Sequence, residues 1–370
     1  MDKKVRIIAL YLPQFHPTPD NDKWWGKGFT EWTNVGKAKA LFKGHYQPKV
    51  PADLGYYDLR LPEVRVAQAE LAQEAGVEGF CYYHYWFGNG KQELELPFKE
   101  VVKSGEPDFP FCLCWANESW HSKFWNMDGT IRKKCLIEQI YDTCEGHVQH
   151  FNSLLSAFKD KRYIKVNGKP LFMIYKPFEF VDQKKFIELW NKLAQDNGLP
   201  GIYFVAHLFS NVCQQKVDEL HALGFDAVNS LGLQMAMESP NSILYRIYRK
   251  IKILMRGMPR AMKYSDVYHK FISEVDKNDK VFPTLVPNWD HTPRSGSAGT
   301  VLIGSTPQLF KKHVHEVFEL IKHKKSKEQI VFLKSWNEWG EGNYMEPDLR
   351  FGKGYIKALR DELEIFNIEN

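Results

Sequence analysis

Eight short runs rich in Val, Ile, Phe and Tyr recur along the chain, most of them followed by a polar loop and a stretch with helical spacing of apolar residues. They cover residues 5–12, 79–85, 110–116, 170–175, 202–207, 227–231, 281–287 and 329–336. Several are apolar at every position, as strands must be when helices cover one face and a barrel interior fills the other. The intervening stretches predict helices over 63–75, 92–104, 146–159, 183–197, 214–223, 264–277, 307–325 and 354–366, with a long loop, 13–62, after the first strand. Eight alternations ending in a helix fit an α/β fold of the (β/α)8 TIM-barrel kind better than an open doubly wound sheet, whose glycine-rich phosphate turn is missing. At 370 residues, one barrel with long βα loops accounts for the chain, so 1–370 reads as a single catalytic domain.

Composition narrows the function classes. The net charge of +5 is small against 95 charged side chains, so no global field points to nucleic acid. Aromatics reach 14%, with 11 Trp, and many sit in polar clusters such as Lys23-Trp24-Trp25-Gly26, a mixture that suits the C–H faces and hydroxyls of sugars. The six cysteines lack zinc-type spacing and read as reduced packing residues. The first residues enter a strand-like run too brief for a signal segment, and no apolar stretch approaches the roughly 20 residues that span a bilayer, so the expected location is cytoplasmic.

In a TIM barrel, chemistry gathers at the C-terminal ends of the strands. The predicted ends carry Gln14 and His16 on the first strand, Tyr83 and His84 on the second, and Trp115, Asn117 and Glu118 on the third. Tyr175 and His207 follow on the fourth and fifth, and Trp289, Asp290, His291 and Arg294 follow the seventh. The eighth runs into Ser335-Trp336-Asn337-Glu338-Trp339-Gly340-Glu341-Gly342. Here two glutamates lie three residues apart at a strand-to-loop junction, and Trp336 and Glu338 are expected to share one face of the strand because side chains alternate with period two. Gly340 and Gly342 allow the chain to turn Glu341 back towards Glu338. Glycosidic cleavage needs such a pair, one carboxyl to protonate the leaving oxygen and one as base or nucleophile. Flanking tryptophans are expected to raise one pKa by desolvation while the other group stays ionised. The bland alternative is a surface pair capping the last helix or meeting Arg350 or Lys353. Metal ligands do not converge in the sequence: His313 and His315 point apart on a helix, and Asp20-Asn21-Asp22 reads as a solvated turn, so no metal and no cofactor are expected.

Six ordered motifs then carry a resemblance: Tyr11 through Pro17, Gly28-Phe29-Thr30-Glu31-Trp32, Tyr82 through Phe87, Cys114 through Glu118, Trp289 through Arg294, and Ser335 through Gly342. Together they resemble the WbsX family, which is similar to glycoside hydrolase family 99. The resemblance implies a (β/α)8 barrel acting on α-mannosides with retention and without a metal. It implies that Glu338 deprotonates the substrate 2-hydroxyl, giving a 1,2-anhydro sugar, and that Glu341 is the general acid and then the base for water. It adds Trp32 and Tyr344 to the expected substrate-binding residues, joining Gln14, His16, Tyr83, His84, Trp115, Asn117, Glu118, Tyr175, His207, Trp289, Asp290, Arg294, Trp336 and Asn337. The expected partner is an oligo- or polysaccharide. The leading reading is a retaining glycosidase or transglycosidase on a mannose-type residue of a bacterial surface polysaccharide or its precursor. A glycosyltransferase of lipopolysaccharide or capsule assembly and a non-catalytic glycan-binding barrel are the competitors.

One further segment stands out. Between Tyr245 and Lys263 lie seven Lys or Arg and no Asp or Glu, interleaved with apolar residues. It reads either as a solvated helical excursion packed on the barrel or as a helix that meets an anionic membrane face or an acidic partner.

Overall fold

The computed structural model describes residues 5–125, 131–141, 143–238, 247, 251, 257–325 and 329–369. The eight runs are strands: β1 (Arg6–Tyr11), β2 (Gly79–Gly88), β3 (Phe111–Trp115), β4 (Lys169–Ile174), β5 (Tyr203–Leu208), β6 (Ala227–Ser230), β7 in two pieces (Val281–Phe282 and Thr284–Leu285) and β8 (Ile330–Leu333). Each pairs in parallel with the next, and β8 returns to β1 through Arg6↔Ile330 and its successors. The ring closes through β7, whose first piece pairs with β6 and whose second pairs with β8. Pro283 divides the pieces because it has no N–H to extend a ladder, while its carbonyl still accepts from Phe332 N at 3.0 Å. The result is a (β/α)8 barrel.

Helices follow seven of the strands: α1 (Pro62–Glu74), α2 (Leu96–Ser104), α3 (Cys144–Lys159), α4 (Gln183–Asp196), α5 (Gln214–Ala222), α6 (Pro307–Ile321) and α7 (Gly354–Glu369). Local chemistry sets several ends. Thr306 Oγ1 caps α6 by accepting from Leu309 N, with Pro307 at the first helical position, and Gly105 closes α2 at φ +81°. After β6 the structure departs from the sequence expectation, because residues 264–277 form three short 3-10 turns rather than one helix. Ser273 and Asp276 cap each other's backbone there, and Asp276 also bonds the Ser230 hydroxyl, so side-chain hydrogen bonds compete with a continuous helix.

The loops after β1, β3 and β7 build the upper rim. The first holds two short helices, Pro19–Trp25 and Glu31–Gly36, and the second an antiparallel hairpin, Trp120–Trp125 with Ile131–Ile137, that sequence spacing did not announce. Arg260–Lys263, expected within a basic helix, is instead a strand paired in parallel with Thr300–Ile303. Most of the segment between Tyr245 and Lys263 lies outside the described residues. No described helix is long and apolar enough to cross a membrane.

Candidate active site

Both faces of β2 are buried, so hydrophobicity does not distinguish its inside from its outside. The pleat does: Tyr83 and Tyr85 point into a cleft of about 650 Å³, while His84 and Trp86 point out onto α3. There His84 Nε2 lies 2.8 Å from His150 Nε2, and the Trp86 ring stacks on His150 at 4.5 Å. The cleft opens at the strand C-termini and takes Gln14, Glu31, Glu118, Tyr175, Arg294, Lys334, Glu338 and Glu341 into its walls.

The two glutamates belong to a short turn beyond β8, where Asn337–Glu338 pairs with Asn343–Tyr344 around a 3-10 turn at Trp339–Glu341. The glycines act differently from one another. Gly342 takes φ +53°, the left-handed turn that its position requires. Gly340 is needed for room, since a Cβ there would stand 1.7 Å from Glu31 Oε2.

Lys334 ends β8 and lies between the carboxylates, with Nζ 2.7 Å from Glu338 Oε2 and 3.7 Å from Glu341 Oε2. It also donates to Tyr83 OH at 3.3 Å. Arg294 makes the second link, from NH1 to Glu341 Oε1 at 2.6 Å and from Nε to Glu31 Oε2 at 3.1 Å. His291 Nε2 stands 3.6 Å from Glu341 Oε1. Burial raises the Glu338 pKa, and repulsion from Glu341 adds to it against the pull of Lys334. Burial acts the same way on Glu341, but Arg294, Lys334 and His291 outweigh it and hold that carboxyl down to about 2. The pair therefore carries unequal affinities for a proton, as expected, but cations rather than tryptophans make the difference.

The remaining expected residues fall into two groups. Trp289 stands at the rim, its ring 5.8 Å from Lys334 Nζ and 6.0 Å from the His291 ring. The others do not line the cleft but hold its frame. His16 bonds Pro13 O, and Trp32 bonds Tyr57 O while packing on Trp339. Trp115, on the outward face of β3, bonds Trp86 O and packs on Phe180 and Phe186. Asn117 ties Lys176 N and O, and Asn337 clamps Leu12 N and O at 2.7 and 3.0 Å. His207 lies beneath the Tyr175 ring, 5.0 Å away, bonds Asn229 and is kept neutral by burial, its pKa lowered to about 4. Asp290 is enclosed by His45, Gln47 and Thr292. Trp336 is wholly buried against Phe80 because β8 ends at Leu333, before the alternation that would have set it beside Glu338. Tyr344 stacks on Trp339 at 3.8 Å and donates to Asp348.

Sequence reasoning missed Lys334 and undervalued Glu31. A lysine closing the apolar run Ile330–Leu333 at the catalytic end of a barrel was the available signal for the first. Glu31 stood inside the motif Gly28 through Trp32, from which only Trp32 was taken, and it reaches the site from a short helix in the loop after β1. Among the described residues, no group of three or more His, Cys, Asp or Glu could hold a metal ion.

Comparison with known proteins bears on this arrangement. A family model described as glycosyltransferase WbsX matches residues 7–359. Proteins named "Uncharacterized protein WxcX" from two strains of Xanthomonas campestris pv. campestris are each 34% identical over 358 residues, covering 96% of this chain and 49% of theirs. The chain thus spans about half the length of the curated relatives it matches. Among solved structures, a glycoside hydrolase-like protein superposes with a TM-score of 0.60 at 13% identity, covering 97% of this chain and 94% of that one. The GH99 endo-alpha-mannosidase from Bacteroides thetaiotaomicron superposes with a TM-score of 0.56 at 14% identity, covering 99% and 98%. At such identities the likeness is one of fold. The match over nearly the whole chain, together with relatives at 34% identity, shows that the chain belongs to the WbsX family.

Proposed function

We propose that this chain is a carbohydrate-active enzyme that cleaves or transfers a glycosidic bond with retention, at a mannose-type residue of a bacterial surface polysaccharide or its precursor. The observation that carries the reading is the pair Glu338 and Glu341, bridged by Lys334 at the end of β8 in a cleft of the size that takes small ligands. In the scheme the family resemblance supplies, Glu338 takes the proton of the 2-hydroxyl and that oxygen attacks the anomeric carbon. The bond to the leaving oxygen breaks as Glu341 protonates it, and a 1,2-anhydro sugar forms. Water or an acceptor hydroxyl, deprotonated by Glu341, then opens the strained ring, and the 2-oxygen regains its proton from Glu338.

The charges of the cleft set a condition on this scheme. Glu341 is the ionised member, held so by Arg294, Lys334 and His291, so it serves as acid only when the bound sugar weakens that hold. The reverse order, with Glu338 as acid and Glu341 as base, is the second reading that these charges favour. Glu338→Gln and Glu341→Gln are each expected to lower turnover of a natural glycan by about two to four orders of magnitude. An aryl glycoside with a good leaving group separates the readings, since it restores the variant lacking the acid and not the one lacking the base. Full activity of either folded variant would remove the carboxylate assignment, and mass analysis of products in water and with added glycan acceptor separates hydrolysis from transfer. For a lipid-linked precursor the enzyme would work in the cytoplasm at the inner membrane face, reached through the basic segment between Tyr245 and Lys263.

A further inference from the structure

A second cavity, about 290 Å³, shares no lining residue with the cleft but backs directly onto the catalytic turn. Two residues of its wall hold that turn from behind: Lys49 Nζ donates to Gly342 O at 3.1 Å, and Asp290 N donates to Glu341 O at 2.6 Å. The cavity is framed by the loops after β1, β7 and β8, and Thr306, the N-cap of α6, lines it. In barrels, loops after the seventh and eighth strands together with a helix N-terminus form a recurrent phosphate-binding place.

Hydrogen-bond accounting on this wall leaves an excess of donors. Asp290 Oδ1 accepts from Thr292 N and Oγ1, and its Oδ2 accepts from His45 Nε2 and Gln47 Nε2. Asp348 Oδ1 accepts from Arg350 N and Phe351 N, and its Oδ2 accepts from Tyr344 OH. Both carboxylates are therefore engaged inside the fold. Lys49 is only 8% exposed and has three N–H donors, yet among the described residues Gly342 O is its one hydrogen-bond acceptor. The Arg350 guanidinium, on an exposed residue at the cavity mouth, lies over the Tyr46 and Phe351 rings, at 4.7 and 5.1 Å, and its side chain donates to no described acceptor. Asp290 and Asp348 both act on the Lys49 charge, but the lining sets three cations, Lys43, Lys49 and Arg350, against these two carboxylates, so an occupant that completes this wall brings oxygen acceptors and negative charge.

We propose that the cavity binds the phosphate group of a phosphorylated sugar, with Lys49 and Arg350 as its donors. The half-buried rings of Phe42 and Tyr46, one stacked on His45 and the other under Arg350, line the same space and give the sugar apolar contact. The inference stands apart from the glycosidic chemistry, and because Lys49 grips the residue after Glu341, the occupant lies one backbone away from the catalytic pair.

Calorimetric titration of the full chain with inorganic phosphate, mannose 6-phosphate and neutral mannose, at matched ionic strength, tests it. Saturable binding of mannose 6-phosphate is expected, and Arg350→Gln should weaken it about 10- to 100-fold, the effect of losing a hydrogen bond to a charged group. Lys49→Met serves as the second variant, with its fold checked by circular dichroism. Glu338→Gln should leave the affinity unchanged, so this outcome is read separately from any result on turnover. Tighter binding of inorganic phosphate than of mannose 6-phosphate would keep the anion site and remove the sugar. The proposal is overturned if neither phosphate saturates below about 10 mM. It is equally overturned if binding survives the Arg350 and Lys49 variants, or is lost with Glu338→Gln.

Discussion

Arg294 bridges Glu31 and Glu341, so each carboxylate limits how strongly the arginine acts on the other. Burial works against the arginine's charge, yet the surrounding glutamates raise its pKa still further, and the cation persists at any working pH. Glu31→Gln removes one anion and leaves Arg294 wholly to Glu341. The Glu341 pKa then falls, and whichever limb of the pH–rate profile reports that group moves to lower pH. A profile that keeps its shape while activity drops would reduce Glu31 to a structural part. None of this was visible at the level of single residues in sequence, where Glu31 was one acidic residue in a loop motif and Lys334 a charge after an apolar run. What brings them together in the cleft is the meeting of loop, strand end and turn from positions about 300 residues apart.

At the scale of elements, the turn after β8 is tied to the residue that follows β1. Asn337 bonds both Leu12 N and Leu12 O, and both residues are buried, Asn337 in the frame and Leu12 in the wall of the cleft. Asn337→Ala should cost about 2–4 kcal/mol, because it strands two backbone polar groups, and urea unfolding measures the loss. Behind the same turn, Glu346 accepts from Trp339 Nε1 and Gln68 Nε2 at 2.6 Å and from Tyr57 OH at 3.0 Å. Burial pushes its pKa up to about 7 from an ordinary 4.5, with those donors opposing the rise. The unfolded chain thus releases this proton first as pH rises, so Glu346 favours the fold at low pH and this contribution fades between about 4.5 and 7. Integrated over that window the change is about 3 kcal/mol. Melting temperatures across the range should decline in the parent and lose that component in Glu346→Gln; an identical slope in both would exclude Glu346 as the source.

At the scale of the whole molecule, the basic segment between Tyr245 and Lys263 remains to be placed in function, and sedimentation with vesicles addresses it. Preference for anionic over neutral vesicles at low salt, fading as salt rises and lost when Arg249, Lys250 and Lys252 are changed to Gln, is the expected signature of a membrane contact. Equal behaviour on both vesicle types would leave a solvated excursion from the barrel. The strand at Arg260–Lys263 already shows that tertiary pairing overrode helical spacing at one end of this segment. The barrel itself was legible in the sequence, because apolar strand runs repeated eight times and helical spacing after seven of them are local properties, and the glutamate pair was legible because its members lie three residues apart in one short motif. The tertiary structure alone decided which polar residues meet the cleft. On strands buried on both faces, composition does not say which side is inside, so His84 and Trp115 face the helices while Tyr83 faces the site. The end of β8 at Leu333 likewise sent Trp336 into the core, and the charges on Glu338 and Glu341 were set by Lys334 and Arg294, which only the closed barrel brings to them.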